Sequence, residues 1–113
     1  MRFNPIIKKI KKIILNRKIW SVNVFCGSYL PNWRKNIDYS KSSSAIKKKG
    51  GGVLLDLSHE LDYLSWIFGN FKIKYVINKK ISDLKINTDD FLCLTGKFKK
   101  KIYLQLNLNY FTR

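Results

Sequence analysis

The sequence predicts an α+β domain in which helices pack on one face of a largely antiparallel open sheet. Helical spacing of apolar residues marks the first half of the chain, and strand-like alternation marks its end. The clearest alternation places five apolar residues on one side of a strand: Ile102, Leu104, Leu106, Leu108 and Tyr110. No internal repeat is present.

Length and composition restrict the class of protein. The 113 residues suffice for one small domain or part of a larger one, and 45% hydrophobic residues are too many for a disordered chain. The formal net charge of +16 raises nucleic acid or an anionic membrane as partners. The lysines, however, are spread along a chain that is also rich in Ile and Asn, and no nucleic-acid-binding module is recognisable. We therefore expect no specific nucleic-acid partner and no membrane partner.

The two cysteines, Cys26 and Cys93, both sit inside apolar runs. This pattern favours reduced, buried thiols and a cytoplasmic location. The first twenty residues mix lysine with isoleucine, so they do not resemble a signal peptide, and no stretch is long enough to span a membrane.

The first predicted element is an amphipathic helix that begins at Asn4-Pro5 and ends near Asn16. Its isoleucines could lie on a membrane surface or pack against the core. Because the apolar side lacks interfacial Trp or Phe, we expect core packing with a solvated lysine face.

A predicted strand, Trp20–Cys26, leads into a long polar connection over residues 27–49. Four side chains in this connection could contact a sugar or an anion: Tyr29, Trp33, Arg34 and Tyr39. A flexible excursion without function is an equally good interpretation. Three further strands are predicted at residues 71–78, 91–98 and 102–110, the last two joined by a hairpin at Lys99-Lys100-Lys101.

The central stretch, residues 50–69, holds the only histidine and three of the seven acidic residues. On one continuous helix, its leucines share a face, whereas six other residues lie roughly opposite: Asp56, His59, Glu60, Asp62, Tyr63 and Trp66. An acidic, aromatic and histidine-bearing face is unexpected in so basic a chain. It marks this helix as the candidate site.

Three interpretations of His59 remain open on spacing alone. It could transfer a proton, oriented by Asp56 or Asp62 one turn away on either side. It could belong to a metal site, although no second histidine or suitably placed cysteine supports one. It could also be a packed histidine at an interface between the helix and the loop.

Residues Gly50 to Asp62, GGGVLLDLSHELD, resemble the signature of the Gfo/Idh/MocA oxidoreductases, which are related to glucose–fructose oxidoreductase and inositol dehydrogenase. Three more stretches resemble the family in its order, so the likeness covers nearly the whole chain: Arg2–Pro5, Gly27–Arg34 and Trp66–Gly69. Members tied to surface-polysaccharide sugar metabolism look most similar.

The resemblance implies an NAD- or NADP-dependent oxidoreductase that acts on a sugar or cyclitol hydroxyl. It implies that His59 is the general acid/base, that Asp56 is its partner at the substrate, and that Asp62 is a neighbouring site residue. The spacing from Asp56 to His59 is one residue shorter than in many members and occurs in a subset of them.

The family's Rossmann domain and Glu-Lys-Pro motif have no counterpart in the chain. We therefore interpret residues 1–113 as part of the substrate-binding and oligomerisation domain, inactive alone and not expected to bind the cofactor. A separate Rossmann-domain chain would be its partner. The sheet face carrying Tyr103, Gln105, Asn107 and Asn109 is the predicted homo-oligomer contact.

Overall fold

The structure, a computed structural model, describes all residues from Met1 to Arg113. The helices are α1 (Pro5–Ile14), α2 (Val53–Asp56) and α3 (Ser58–Phe68), and the strands are β1 (Ser21–Gly27), β2 (Phe71–Lys79), β3 (Phe91–Phe98) and β4 (Tyr103–Asn109). The strands form one sheet in the order β1-β4-β3-β2. The predicted α+β class is confirmed.

Two of the three strand pairings are antiparallel, β2 with β3 and β3 with β4. The third pairing, β1 with β4, is parallel, so the sheet is mixed. A parallel pair requires a crossover connection, and the long segment between β1 and β4 supplies it.

The core lies between the helices and one face of the sheet. The inward positions of β3 and β4 are almost fully buried, as the alternation predicted. From the helical side, Leu57 and Leu64 join this cluster, and the Phe68 ring packs 5.2 Å from the Phe98 ring. The opposite sheet face carries no helix.

The expectation that α1 packs its isoleucines into the core is wrong for most of them. Only Ile7 is buried, whereas Ile6, Ile10 and Ile13 are exposed. Asn4 caps the helix as expected, because its side-chain oxygen accepts a hydrogen bond from the Ile6 amide at 2.8 Å. The helix touches the domain along one edge of its surface only.

The predicted continuous central helix is interrupted at Leu57, whose φ of −103° and ψ of 16° lie outside helical values. This break rotates α3 relative to α2, so a single helical wheel does not describe the side-chain directions of both helices. The prediction that Glu60 and Tyr63 lie on the wet face is wrong. Glu60 is buried because it lies one turn before the buried Leu64 on the same side of α3, and Tyr63 packs against the core.

Two connections fold tightly onto the core. Residues 28–49 contain three short 3-10 turns and bury Leu30 and Ala45. Residues 80–90 close around Asp90, whose fully buried carboxylate accepts hydrogen bonds from the Ile81 and Ser82 amides. None of the three helices has the length and apolar character required to cross a bilayer.

Candidate functional site

The glycines before α2 allow close packing of backbone against its neighbours. A Cβ at Gly51 would overlap the carbonyl oxygens of Ser43 and Ser44. Gly52 has a φ of +132°, and a Cβ there would overlap the Asp89 carboxylate. That carboxylate accepts a hydrogen bond from the Leu54 amide at 3.0 Å, so Asp89 caps α2 from across the chain.

Asp56, at the end of α2, is tied to the end of the sheet. The hydroxyl of Tyr110, a fully buried residue, donates to Asp56 Oδ2 at 2.5 Å. Burial, and then the hydrogen bond to Asp56, raise the pKa of Tyr110 well above its ordinary value of about 10. Tyr110 therefore stays protonated and keeps donating to Asp56. The other carboxylate oxygen, Oδ1, accepts no hydrogen bond from the chain.

Trp33 connects the long loop to the hydrogen-bonded pair of Tyr110 and Asp56. Its ring meets that of Tyr110 edge-on, with centroids 5.4 Å apart, and its indole N–H donates to Ser28 Oγ at 2.7 Å. The structure thus brings together Trp33 and Asp56, two of the residues that the sequence selected, through Tyr110. From the sequence, Tyr110 was predicted only as a residue of the last strand.

His59 does not contact Asp56 or Asp62, the two carboxylates expected to orient it. Its Nε2 lies 3.4 Å from Glu60 Oε1, and its side chain is 39% exposed. Glu60 Oε2 in turn accepts a hydrogen bond from the Tyr63 hydroxyl at 2.5 Å. The imidazole therefore lies beside a buried carboxylate and remains accessible to solvent on its other side.

Burial and the Glu60 carboxylate raise the pKa of two neighbouring groups, the Tyr63 hydroxyl and the Cys26 thiol. The pKa of Tyr63 is raised, first by burial and then by its hydrogen bond to Glu60. The pKa of Cys26 is raised, first by burial and then by the negative charge of Glu60. Both groups are therefore held in their neutral forms beside this carboxylate. In the sequence, Glu60 was marked only as a member of the acidic face of the predicted helix, next to His59.

Asp62 forms an ion pair with Arg2. Arg2 Nε donates to Asp62 Oδ2 at 2.9 Å and Nη2 donates to Oδ1 at 2.5 Å, a bidentate arrangement. The hydrogen bonds from Arg2 hold the pKa of Asp62 below its ordinary value. This pair attaches the segment before α1 to α3, one helical turn from His59.

The remaining loop residues are distributed over two places. Trp33, Arg34 and Tyr39 line one small pocket together with Leu30, and neither His59 nor Asp56 lines it. The Tyr39 hydroxyl also accepts a hydrogen bond from the Lys85 amide at 3.1 Å. Tyr29 lies apart from this pocket, beneath the guanidinium of Arg113 at 4.8 Å from the ring centroid.

The glycine-led start of α2 does not form a phosphate cradle for a dinucleotide. A phosphate-binding glycine turn leaves helix amides free for an anion. At α2, Asp89 already accepts hydrogen bonds from the first amides, those of Val53 and Leu54, and its negative charge would repel a phosphate. No group of three or more His, Cys, Asp or Glu side chains is arranged to hold a metal ion.

The site can therefore supply an accessible imidazole, a half-buried carboxylate with one free oxygen, and a small aromatic pocket.

Residues 9–113 match the family described as the oxidoreductase family, C-terminal α/β domain, of the Gfo/Idh/MocA proteins. The chain belongs to this oxidoreductase family.

Solved structures of dehydrogenases share the fold. GenD2 from gentamicin A biosynthesis, in complex with NAD, has a TM-score of 0.77 and 17% identity over 99% of this chain and 32% of its own. D-galactose-1-dehydrogenase from Rhizobium etli has a TM-score of 0.74 and 14% identity over 96% of this chain and 33% of its own. The WlbA dehydrogenase from Bordetella pertussis, in complex with NADH and UDP-GlcNAcA, has a TM-score of 0.71 and 18% identity over 95% of this chain and 32% of its own.

The Gfo/Idh/MocA chain thus spans about a third of the length of these solved structures. At these identities the likeness concerns the fold. No curated protein matches the sequence.

Proposed function

We propose that this chain is the substrate-binding part of a nicotinamide-dependent oxidoreductase acting on a hydroxyl of a sugar or cyclitol, with a role in surface-polysaccharide sugar metabolism. The observation that carries the proposal is the accessible imidazole of His59 within the family's signature segment, beside the buried Glu60. Residues 1–113 form part of the substrate domain, and the cytoplasm is the proposed location.

Oxidation of a carbinol removes a proton from oxygen and a hydride from carbon. In this proposal, His59 accepts the proton as general base and returns it in the reverse reaction. Asp56 Oδ1 is free to accept a hydrogen bond from a substrate hydroxyl while Oδ2 stays held by Tyr110. Trp33, Arg34 and Tyr39 offer an aromatic and cationic wall for the rest of the substrate. Asp62 and Tyr29 stay predicted substrate contacts, although arginines already pair with both.

In this proposal the hydride acceptor comes from elsewhere, because the first amides of α2 are bonded to Asp89 and offer no phosphate cradle. Complexes of similar folds contain NAD in GenD2 and NADH in WlbA. We therefore expect NAD or NADP to be carried by a Rossmann-type cofactor domain, and the chain to be inactive without it.

The first prediction concerns turnover. The purified chain alone should not reduce NAD or NADP with D-galactose, myo-inositol or UDP-GlcNAcA. Adding the polypeptide encoded immediately upstream should restore formation of NADH or NADPH, followed by absorbance. His59→Ala should lower the restored rate by about 100-fold or more, because a general base contributes on that order.

Ser65→Ala on the same helix is the matched control, since the Ser65 side chain makes no hydrogen bond in the chain, and it should retain the restored rate. Turnover by the chain alone, or an unchanged rate in His59→Ala, would contradict the proposal.

A second function, assembly, is favoured by the sheet face that carries no helix. Phe25, Tyr75 and Tyr103 are 65%, 59% and 59% exposed on this face. A shallow groove crosses its three strands β1, β4 and β3. Exposed aromatic surface of this kind is typical of protein contacts, and we propose that a second copy of the domain covers it.

Asn109 was predicted to belong to this oligomer contact, but it is buried. Its side-chain oxygen accepts hydrogen bonds from the Phe111 and Thr112 amides.

A further inference from the structure

Arg34, in the long loop after β1, presents a guanidinium that has no partner within the chain. It is exposed, and it makes neither a hydrogen bond nor an ion pair. Residues 27–49 hold six basic residues and a single acidic one, Asp38. Asp38 is engaged elsewhere, because its Oδ1 accepts hydrogen bonds from the Ser40 amide and hydroxyl and its Oδ2 lies 3.7 Å from Lys41 Nζ. The guanidinium is therefore available to an anion from outside the chain.

Arg34 lines two hollows of the surface. The first is the small aromatic pocket of the loop. Its wall contains two aromatic rings and two serines: Trp33, Tyr39, Ser42 and Ser44. Rings and hydroxyls together suit a sugar, whose faces are apolar and whose edge carries hydroxyl groups. No acidic residue lines this pocket, so nothing in its wall repels an anion held at Arg34.

The second hollow is open to solvent and mostly polar. Apart from Pro31 and Ile37, its lining residues are two cations and two amides: Arg34, Lys35, Asn32 and Asn36. Guanidinium, ammonium and amide N–H groups all donate hydrogen bonds, and no lining residue is acidic. Two cations match the charge of a phosphate ester, about −2, more closely than the single charge of a carboxylate. The hollow is therefore suited to a phosphoryl group.

Trp33 relates the two hollows to the candidate site. Its ring meets that of Tyr110 with centroids 5.4 Å apart, and the Tyr110 hydroxyl donates to Asp56. Two side-chain contacts thus separate the small pocket from the Asp56 carboxylate. A ligand that engages both Asp56 and Arg34 has to extend past the Trp33 side chain, as a sugar bearing a phosphoryl group can.

We propose that Arg34 and Lys35 hold the phosphoryl group of a phosphate-bearing sugar, with the sugar ring packed against Trp33. The inference rests on the proposed oxidoreductase function and names its class of substrate, a sugar phosphate or a nucleotide-linked sugar, which share this group. The phosphoryl group serves only to hold the substrate. No bond to phosphorus forms or breaks, because the hydride and the proton leave from the carbinol.

The second prediction is measured on the full chain by NMR of its tryptophan indoles. The chain has three tryptophans and therefore three indole N–H signals. Titration with D-galactose 1-phosphate or UDP-D-galactose should shift the Trp33 signal, which the variant Trp33→Phe identifies. The Kd should be about tenfold or more below that for D-galactose, because charge-assisted hydrogen bonds are added. N-acetylglucosamine, its 1-phosphate and its UDP ester form a second set.

The other two indoles are internal controls for unspecific attraction to lysine. Lys18 Nζ lies 4.2 Å from the centroid of the Trp20 ring, and Lys11 Nζ lies 3.7 Å from that of the Trp66 ring. An anion drawn to lysine in general would shift these two signals. We expect them to stay in place while the Trp33 signal moves, and equal movement of all three would overturn the inference.

Removal of the guanidinium gives a matched comparison. Arg34→Gln should weaken binding of the phosphate-bearing sugars about tenfold or more and leave binding of the neutral sugar unchanged. Arg17→Gln makes the same change of charge at an exposed arginine that lines neither hollow, and it should bind normally. The thermal midpoint of both variants should equal that of the native chain, since both arginines are exposed.

The ester that binds more tightly identifies the source of the phosphoryl group, and either result supports the subsite. Absence of binding, equal affinity for neutral and phosphate-bearing sugars, or equal affinity for inorganic phosphate and the sugar phosphates would overturn it. Equal effects of Arg17→Gln and Arg34→Gln would do the same.

A turnover assay separates this inference from the proposed function. Phosphate-dependent binding without oxidation by the chain and its upstream polypeptide together would reject the proposed function and keep the subsite. Restored turnover that Arg34→Gln leaves unchanged would reject the subsite and keep the function.

Discussion

His59 and Glu60 are neighbours in sequence, yet the fold gives them opposite environments. The His59 side chain is 39% exposed and that of Glu60 is 11% exposed, and Nε2 of His59 lies 3.4 Å from Oε1 of Glu60. Glu60, and not Asp56 or Asp62, is therefore the carboxylate beside the imidazole.

Asp56 has a different partner, and the third prediction addresses it. Tyr110→Phe removes the donor to Asp56 Oδ2 and leaves that half-buried oxygen without its hydrogen bond. Unfolding free energy should fall by about 2 kcal/mol, the usual cost for a hydrogen bond to a charged group, measured by urea denaturation. Tyr103→Phe is the control, because Tyr103 is 59% exposed and its hydroxyl makes no hydrogen bond in the chain. Equal effects of the two substitutions would contradict the assigned role of Tyr110.

At the scale of elements, the glycine segment and α2 depend on a residue far away in sequence. Asp89, in the connection before β3, supplies the cap of α2 through its main-chain and side-chain oxygens. Gly51 and Gly52 of the signature are required because three segments converge there: residues 43–44, the start of α2 and Asp89. The spacing of the signature indicated its position on a helix, but gave no sign of this partner.

The fourth prediction compares two of these glycines. Gly51→Ala should destabilise the fold by about 3 kcal/mol or more, because the new methyl group would overlap the Ser43 and Ser44 carbonyls and the backbone must move. Gly50→Ala meets no atom within 4 Å and suffers only the strain of its φ of +76°, about 1 kcal/mol. Urea denaturation of both variants measures the difference, and similar midpoints would show that the overlap is relieved without cost.

At the scale of the whole molecule, the two faces of the sheet have separate surroundings. The inner face is covered by α2 and α3 together with the long loop, and the outer face presents Phe25, Tyr75 and Tyr103. The exposed isoleucines of α1, Ile6, Ile10 and Ile13, form a second uncovered apolar surface.

The fifth prediction concerns self-association through the outer face. Sedimentation velocity should show an average mass that rises with concentration for the native chain. Phe25→Glu should abolish this rise, because a charge would replace a 65% exposed aromatic ring on strand β1 of the face. Ile81→Glu, at a 56% exposed residue in the connection after β2, is the control and should retain it. A monomer at every concentration would exclude a stable contact through the sheet.

The sequence by itself determined the α+β class, the strands of the sheet and the helical placement of the signature. Periodicity sufficed because the inward faces of β3 and β4 are uniformly apolar, and burial then follows from alternation. The N-terminus of α1 was equally clear, since Asn4-Pro5 is a local signal that acts within one turn.

Only the tertiary structure decided how the site residues are paired. Glu60 and Tyr63 turn inward, Arg2 forms an ion pair with Asp62, and the Tyr110 hydroxyl donates to Asp56. It also left Ile6, Ile10 and Ile13 of α1 uncovered, although their periodicity is that of a buried face. The physical reason is that periodicity records which residues share a side, whereas contacts between segments 54 and 60 positions apart depend on how the elements pack.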